Sequence, residues 1–405
     1  MTTADAPCHP VSWRPMETTG GGYPERARRL APLVEAHAAE AERDRRIPEP
    51  VLAALFDAGL FRLLLPKGLD GAEVDPVTFV RVIEAIGGAD ASTAWVLCQV
   101  SGCSMAAAYL DPDVAHEIWG RDPRSVLAWG SGPAGRAVVV DGGYRVTGTW
   151  GFASGGRHAT WLGAHCPIHE ADGSPRLRAD GTPEVRTMLF PVAAATMPDV
   201  WHVMGLRATG SDSYSVSDLF VRHTHSEARD EPAERRQPGL LYCFPTGSMY
   251  ASGFAGVALG IARSMLDALV ALAQEKTPRG FKHALRESAV VQSQTARAEA
   301  RLGSARAYLL SSLEDIWREV GRAASLALDH RVRIRLAATY AIHQAMAVAD
   351  WAYHTAGATA IFQGGAFERR FRDIHAVSQQ VQGRHAHYET VGRFLFGLDP
   401  NSPYL

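Results

Sequence analysis

Three short stretches carry the side chains best suited to chemistry. In Trp150-Gly151-Phe152-Ala153-Ser154-Gly155 a hydroxyl follows two aromatic residues at alternate positions, the spacing of one strand face. Aromatic residues so spaced also suit the plain interior of a barrel, so the motif alone leaves two readings open. In Arg372-Asp373-Ile374-His375 an imidazole follows an Arg-Asp pair. Such a group takes up or holds a proton near neutral pH, or it sits in solvent on a helix beside its charged neighbours. Thr277-Pro278-Arg279-Gly280-Phe281 sets a guanidinium in a loop, where it either pairs with phosphate or stays solvated. Trp95, Met105, Trp129, Met249, Tyr250 and Phe254 could line a pocket for an aromatic or heteroaromatic molecule, and each suits a plain core equally well.

Other motifs are weaker than they look. Gly130-Ser131-Gly132-Pro133-Ala134-Gly135 fits G-x-G-x-x-G, which holds a dinucleotide only between a strand and a helix. Here Arg136, Ala137 and three valines run into a hairpin instead. His158, His165 and His169 have Pro167 among them and a strand context, so zinc is not expected. His385 and His387 fall on different faces of a helix. The five cysteines, Cys8, Cys98, Cys103, Cys166 and Cys243, form no C-x-x-C pair, which argues against a disulfide framework or a zinc knuckle. G-x-S-x-G, H-E-x-x-H and the Walker loop are absent.

The elements that must position these residues fall into three zones. From Pro24 to about Asp122 the pattern is helical. Asp75-Pro76 reads as N-cap and first-turn proline of a helix that Gly87-Gly88 stops, Pro50–Ala58 is a short helix ended by Gly59, and the nearly uncharged run 91–109 predicts a helix buried on several sides. From about Arg124 to Arg222 the period is that of strands. Arg136–Val140, Asp141-Gly142-Gly143 and Tyr144–Trp150 form a hairpin, and further strands are expected at 160–165, 185–190 and 213–221. A charged, proline-bearing stretch from Glu227 to Pro238 reads as a linker. Beyond it, helical period over 247–275, 284–320, 322–362 and 371–396 predicts a four-helix bundle.

The expected fold class is therefore mainly α with a central antiparallel β domain. The parts are a flexible N-terminus (1–23), an N-terminal α-helical domain (24–123), a β-barrel domain (124–232) and a C-terminal bundle (233–405). With 41 Lys and Arg against 43 Asp and Glu, the chain has no electrostatic reason to bind nucleic acid or an anionic membrane. The first twenty residues lack the apolar run of a signal peptide. The uncharged stretch from Gly239 to Ala262 is interrupted at Pro245 to Ser248 and reads as a loop plus a buried helix, not a membrane span. A reduced cytoplasm is the expected location.

Taken with this zone order, Gly148-Thr149-Trp150-Gly151-Phe152-Ala153-Ser154-Gly155, His158-Ala159, Trp161 and Met204-Gly205-Leu206-Arg207-Ala208-Thr209-Gly210-Ser211 resemble the acyl-CoA dehydrogenase superfamily. The W-x-F-x-S-G-x-x-H-A form is most similar to its group D two-component flavin-dependent monooxygenases. That group includes the oxygenase component of p-hydroxyphenylacetate hydroxylase, dibenzothiophene monooxygenase and the aminosugar nitrososynthases. The likeness covers roughly residues 24–396. It implies reduced FAD or FMN delivered by a separate NAD(P)H:flavin reductase, with O2 as co-substrate and oxygen transfer through a C4a-hydroperoxide. It also implies that Phe152 packs on the isoalloxazine, that Ser154 and the backbone from Ala153 reach N5 and O4, and that Trp129 to Ser131 lie beside the ring. Arg279 would meet the flavin phosphate. Gly364, in Gln363-Gly364-Gly365, would approach a neighbouring subunit's cofactor in a homo-oligomer, a tetramer or dimer.

Two activities fit that fold. A dehydrogenase needs a carboxylate base at the flavin. The commonest family position follows the Arg-Asp pair, yet residues 374–386 contain neither Asp nor Glu. The resemblance puts His375 there, near the substrate and the flavin C4a. An oxygenase acting on an aromatic or heteroaromatic small molecule is therefore expected. N-oxygenation of an amine or aminosugar, and acyl-CoA dehydrogenation or oxidation, are the alternatives.

Overall fold

The computed structural model describes residues 22–402 and 405. The leading residues read above as a polar terminus, Cys8 among them, lie outside the described residues.

The N-terminal helices are α1 (Tyr23–Ala36), α2 (Ala38–Asp44), α3 (Glu49–Asp57), α4 (Pro76–Ala89), α5 (Ala91–Ser104) and the short α6 (Pro112–Ala115). Asp75 caps α4 by accepting the Thr78 N–H. Asp90 does the same for α5 through Thr93. Every residue of α5 except Gln99 is buried. Gly87-Gly88 does not end α4, which continues to Ala89. The glycines serve a close helix crossing instead: a Cβ on Gly260 of the first bundle helix would lie 2.7 Å from the Gly88 nitrogen.

Seven strands follow: β1 (Leu127–Trp129), β2 (Arg136–Val140), β3 (Gly143–Trp150), β4 (Trp161–His169), β5 (Val185–Pro191), β6 (Tyr214–Arg222) and β7 (Ser226–Glu227). Their order is β6-β3-β2-β4-β5-β7, with β1 beside β4. The hairpin β2–β3 forms about Gly142 as its sequence demands. The sheet is not purely antiparallel, because β1 and β2 both run parallel to β4. That correction has a simple cause. Local turn signals specify hairpins, whereas a parallel pair is joined through distant chain and leaves no turn signature. Trp150, Tyr214, Leu162 and Phe190 fill the core on one side of the sheet.

The bundle contains α7 (Thr246–Glu275), α8 (Ala289–Ala323), α9 (Leu328–Ala356), α10 (Glu368–Gln379) and α11 (Ala386–Leu395). The single fourth helix expected over 371–396 is therefore two, broken at Gln380 to His385. There the Gln380 side chain caps its own turn through the Gln382 N–H. Among the described residues α7 is the one helix long and apolar enough to cross a membrane. Residues 246–262 of it, apart from Gly247, are buried against the rest of the chain. The stretch read as a linker is also corrected. Glu227 closes the sheet opposite Thr187, and Asp230 caps the start of α7 through the Thr246 N–H and hydroxyl, both at 2.9 Å.

Candidate active site

The Trp150–Gly155 motif leaves β3 at the edge of the sheet. Trp150 is sealed in the core, its indole N–H on the His165 carbonyl at 3.1 Å. Phe152 turns the other way. Its φ is +61° and its ring is 65% exposed, with Trp201 edge-on at 5.9 Å. A β-carbon residue in the left-handed region that also presents a bare aromatic face is costly twice over. That combination fits a flat aromatic group stacked on the ring. Ser131, exposed beside it, donates its N–H to the Gly151 carbonyl at 2.9 Å. Ala153 is buried, with its N–H on Asp212. An isoalloxazine is planar and apolar on its faces, so these residues fit a flavin.

Ser154 is buried and held in a directed chain of hydroxyls. The Thr209 hydroxyl donates to the Leu206 carbonyl at 2.8 Å, so its oxygen is left to accept from Ser211 at 2.6 Å. Ser211 in turn lies 2.7 Å from Ser154, whose oxygen also accepts the Trp95 indole N–H at 3.0 Å. The Ser154 proton therefore points to Ser211, and its oxygen keeps one lone pair free. Ser211→Ala should cost about 1–2 kcal/mol of stability, read from denaturant midpoints, because Ser154 and Thr209 both lose a buried partner.

The same loop carries the chain to His375. Leu206 donates its N–H to Asp373 on α10 at 2.6 Å. Gly205 permits the approach, since a Cβ there would lie 2.3 Å from the Arg372 carbonyl oxygen. Asp373 is buried, and burial together with nearby Asp90 pushes its carboxyl up to about 7. Occupied in this way, it is an anchor and not a base. Arg372 braces the helix from the outside through Glu42, Glu368 and the Met204 carbonyl.

His375, one turn on, is partly exposed, and its Nε2 lies 2.9 Å from Asp350 Oδ1 on α9. Phe371 meets the ring edge-on at 4.5 Å and stacks in turn on Tyr353 at 4.0 Å. With Nε2–H donated to the carboxylate, Nδ1 is the proton acceptor. Sequence reasoning missed Asp350. Its one signal was isolation: it is the single acidic residue between Ala341 and Ala356.

The other expected residues divide. Trp95, Phe254 and Tyr250 form one pile, Trp95 on Phe254 at 3.9 Å and Phe254 near Tyr250 at 5.7 Å, and Trp95 joins that pile to Ser154. Trp129 is buried at the end of β1, beside His165 at 5.0 Å. Met105 and Met249 are buried in the helical core. Arg279 is exposed in the α7–α8 loop, and Gly364, at φ +80°, lies in the exposed α9–α10 turn. Lys276 ties these two loops together by bonding the Ala356 carbonyl and, at 2.7 Å, the Thr359 hydroxyl. Arg279 and Gly364 are not among the hydrogen-bond and ring partners of Phe152 and Ser154. The histidines doubted as metal ligands stay apart. His158 accepts the Ile47 N–H, His165 meets Thr187, His387 meets the Val381 carbonyl, and the described residues hold no cluster of metal-ligating side chains. The strand–turn–strand path through Gly130 to Gly135 likewise has no following helix. An open groove of about 400 Å³ by Glu42, Arg45, His202 and Arg207 holds arginines already paired, Arg45 with Asp199 and Arg207 with Glu42.

Residues 25–111 match the acyl-CoA dehydrogenase N-terminal domain family, and residues 252–384 match the C-terminal domain family. An indole-3-acetate monooxygenase of Pseudomonas putida is 31% identical over 373 residues, which cover 91% of this chain and 92% of that protein. The chain belongs to the group D flavin-dependent monooxygenases of the acyl-CoA dehydrogenase fold. The crystal structure of 3-HSA hydroxylase from Rhodococcus sp. RHA1 superposes with a TM-score of 0.87 at 27% identity, covering 95% of this chain and 100% of that one. XiaF from Streptomyces sp., solved with FADH2 and glycerol, gives 0.87 at 26%, covering 95% and 97%. This group D chain is thus an oxygenase component whose cofactor is reduced flavin and whose co-substrate is O2. The expected oxygenase, not the dehydrogenase, is the activity its relatives carry.

Proposed function

We propose that this oxygenase hydroxylates an aromatic or heteroaromatic small molecule, with Phe152, Ser131, Ala153 and Ser154 holding the flavin and His375 serving as the base. The observation that carries the reading is the His375–Asp350 pair on the helix that Asp373 anchors to the Ser154 loop. Phe152 would hold the reduced flavin, which when bound would supply the electrons that activate O2, one oxygen atom going to the substrate and the other to water. His375 takes the phenolic O–H or ring N–H proton of the substrate on Nδ1. Asp350 holds the imidazole in the required tautomer and stabilises the imidazolium that results. The remaining lone pair of Ser154 would accept a hydrogen bond from the flavin edge. The pile of Trp95, Phe254 and Tyr250 keeps water from that edge. Ser154→Ala should raise uncoupled hydrogen peroxide release per flavin oxidised, measured against product with a peroxidase-coupled assay. Unchanged coupling would remove Ser154 from this role.

A separate NAD(P)H:flavin reductase supplies the flavin in this reading, whether FMN or FAD. The protein works as a homo-oligomer, in which Arg279 meets the flavin phosphate and the Gly364 turn approaches a neighbouring subunit's cofactor. The exposure of Phe281, Ile361 and Phe362 around those loops supports this. Unpaired Cys98, Cys103, Cys166 and Cys243 suit a reducing cytoplasm. The test is a panel of phenols, indoles and aminosugars with a generic flavin reductase and O2. The reading expects hydroxylated aromatic products. N-oxygenated aminosugar as the sole product would replace the substrate class.

A further inference from the structure

The sheet face turned toward α5 carries an unusual amount of buried polarity. Strand register puts Trp129, Gly163 and Leu189 in one row and His165, Thr187 and Glu227 in the next. Facing them, Gln99 of α5 donates to the Tyr250 hydroxyl at 3.0 Å, and Cys103 lies 3.6 Å from the same oxygen. Glu227 is wholly buried beside the Thr187 hydroxyl, which is already bonded to His165, and neither of its carboxyl oxygens makes a hydrogen bond of ordinary geometry. A buried carboxyl in that state points to something that completes it. Arg229 stands beside it. Its side chain is 38% exposed, its guanidinium lies 5.6 Å from the centre of the Trp129 ring, and it reaches His165 Nε2 at 3.4 Å.

The cation here is only loosely paired. Asp230 approaches Arg229 only to 3.8 Å and already caps α7 with its other oxygen. Burial keeps His165 uncharged and pushes the Glu227 carboxyl up to about 8, so it too is uncharged at neutral pH. Arg229 is thus a partly exposed cation in one long ion pair, laid on an indole. From it contacts run through Trp129, whose backbone meets the Cys103 thiol, and on through Tyr250, Phe254 and Trp95 to Ser154. An aromatic ladder with a hydroxyl at one end and a cation at the other suits an aryl ring bearing a negative substituent.

We propose that Arg229 anchors a carboxylate on the aromatic substrate, with the Glu227 carboxyl completing the hydrogen bonding beside it. The proposal rests on the function assigned above and names the substrate class for that site.

The test uses full-length enzyme loaded with reduced flavin under anaerobic conditions. Phenylacetate is titrated against phenylacetamide, and 1-naphthylacetate against 1-naphthylacetamide, in wild type, Arg229→Gln and Arg229→Lys. Wild type should bind each acid about 10–100-fold more tightly than its amide. Arg229→Gln should bring that ratio close to one, Arg229→Lys should keep part of it, and affinity for reduced flavin should not change. Equal binding of acid and amide by wild type overturns the anchor. So does a ratio that survives in Arg229→Gln. Weakened flavin binding in Arg229→Gln also overturns it, placing the flavin phosphate there instead. Oxygenation of neutral aromatics without any preference for acids defeats the anchor alone. Failure to bind or oxygenate aromatics of either kind defeats the assigned function as well.

Discussion

His375→Ala should lower the rate of product formation by about 10²–10⁴-fold, the usual worth of a positioned general base. Its affinity for reduced flavin should change little, because His375 is held by Asp350 and Phe371 and Phe152 lies on another element. Asp350→Asn keeps a hydrogen-bonding side chain but loses the charge and the fixed tautomer, so a smaller loss is expected. Its flavin affinity should again be preserved. Rapid-quench product analysis, set beside an anaerobic flavin titration of each variant, separates the two readouts. If both fall together in His375→Ala, the residue organises the flavin pocket and is not the base. If neither falls, the base lies elsewhere.

The second large effect is a loss of stability as pH rises above neutrality. Asp373 and Glu227 are buried carboxyls whose native values lie at about 7 and about 8, against ordinary values near 4 when unfolded. Between those limits the native state holds protons that the unfolded chain has released, so stability falls as pH rises through the native values. The lowered histidines, His158, His165, His225, His343 and His387, act in the opposite direction, and their effect fades between about pH 6.5 and 7.5 as the unfolded chain gives up its protons. From about pH 7.5 to 8.5 the carboxyls therefore dominate among these groups. Their combined effect over that window is about 1 kcal/mol. Glu227→Gln should remove most of the slope, since its value lies farther into that window. Denaturant titrations at several pH values check this. A flat profile in the wild type, or an unchanged slope in Glu227→Gln, contradicts the assignment.

How much of this was legible in the sequence follows from the range of each interaction. Helical and strand periods are local, and so the α–β–bundle order could be read directly, down to the Asp75 cap and the hairpin at Gly142. The motif at Trp150 to Ser154 also showed as residues, but not as geometry. That Phe152 turns outward depends on a positive φ that nothing in its type announces. Contacts across long separations left no local mark. The Ser154 hydroxyl meets Ser211 from 57 residues away, and Asp350 meets His375 across two helices. The parallel pairing of β1 with β4 is of the same kind. Glu227 misled for a different reason. A charged, proline-bearing run looks like solvent-exposed linker, and only its register opposite Thr187 buries the first of those charges.

The central claim, that this chain puts oxygen from O2 into an aromatic molecule by means of reduced flavin, is tested most directly by isotope. Enzyme, flavin and a generic reductase are incubated with the aromatic panel under labelled dioxygen, and products are weighed by mass spectrometry. The account predicts one labelled oxygen atom in each hydroxylated product, with none drawn from labelled water. Unlabelled product would contradict it. So would flavin bleaching by an acyl-CoA without reductant and with no aromatic product.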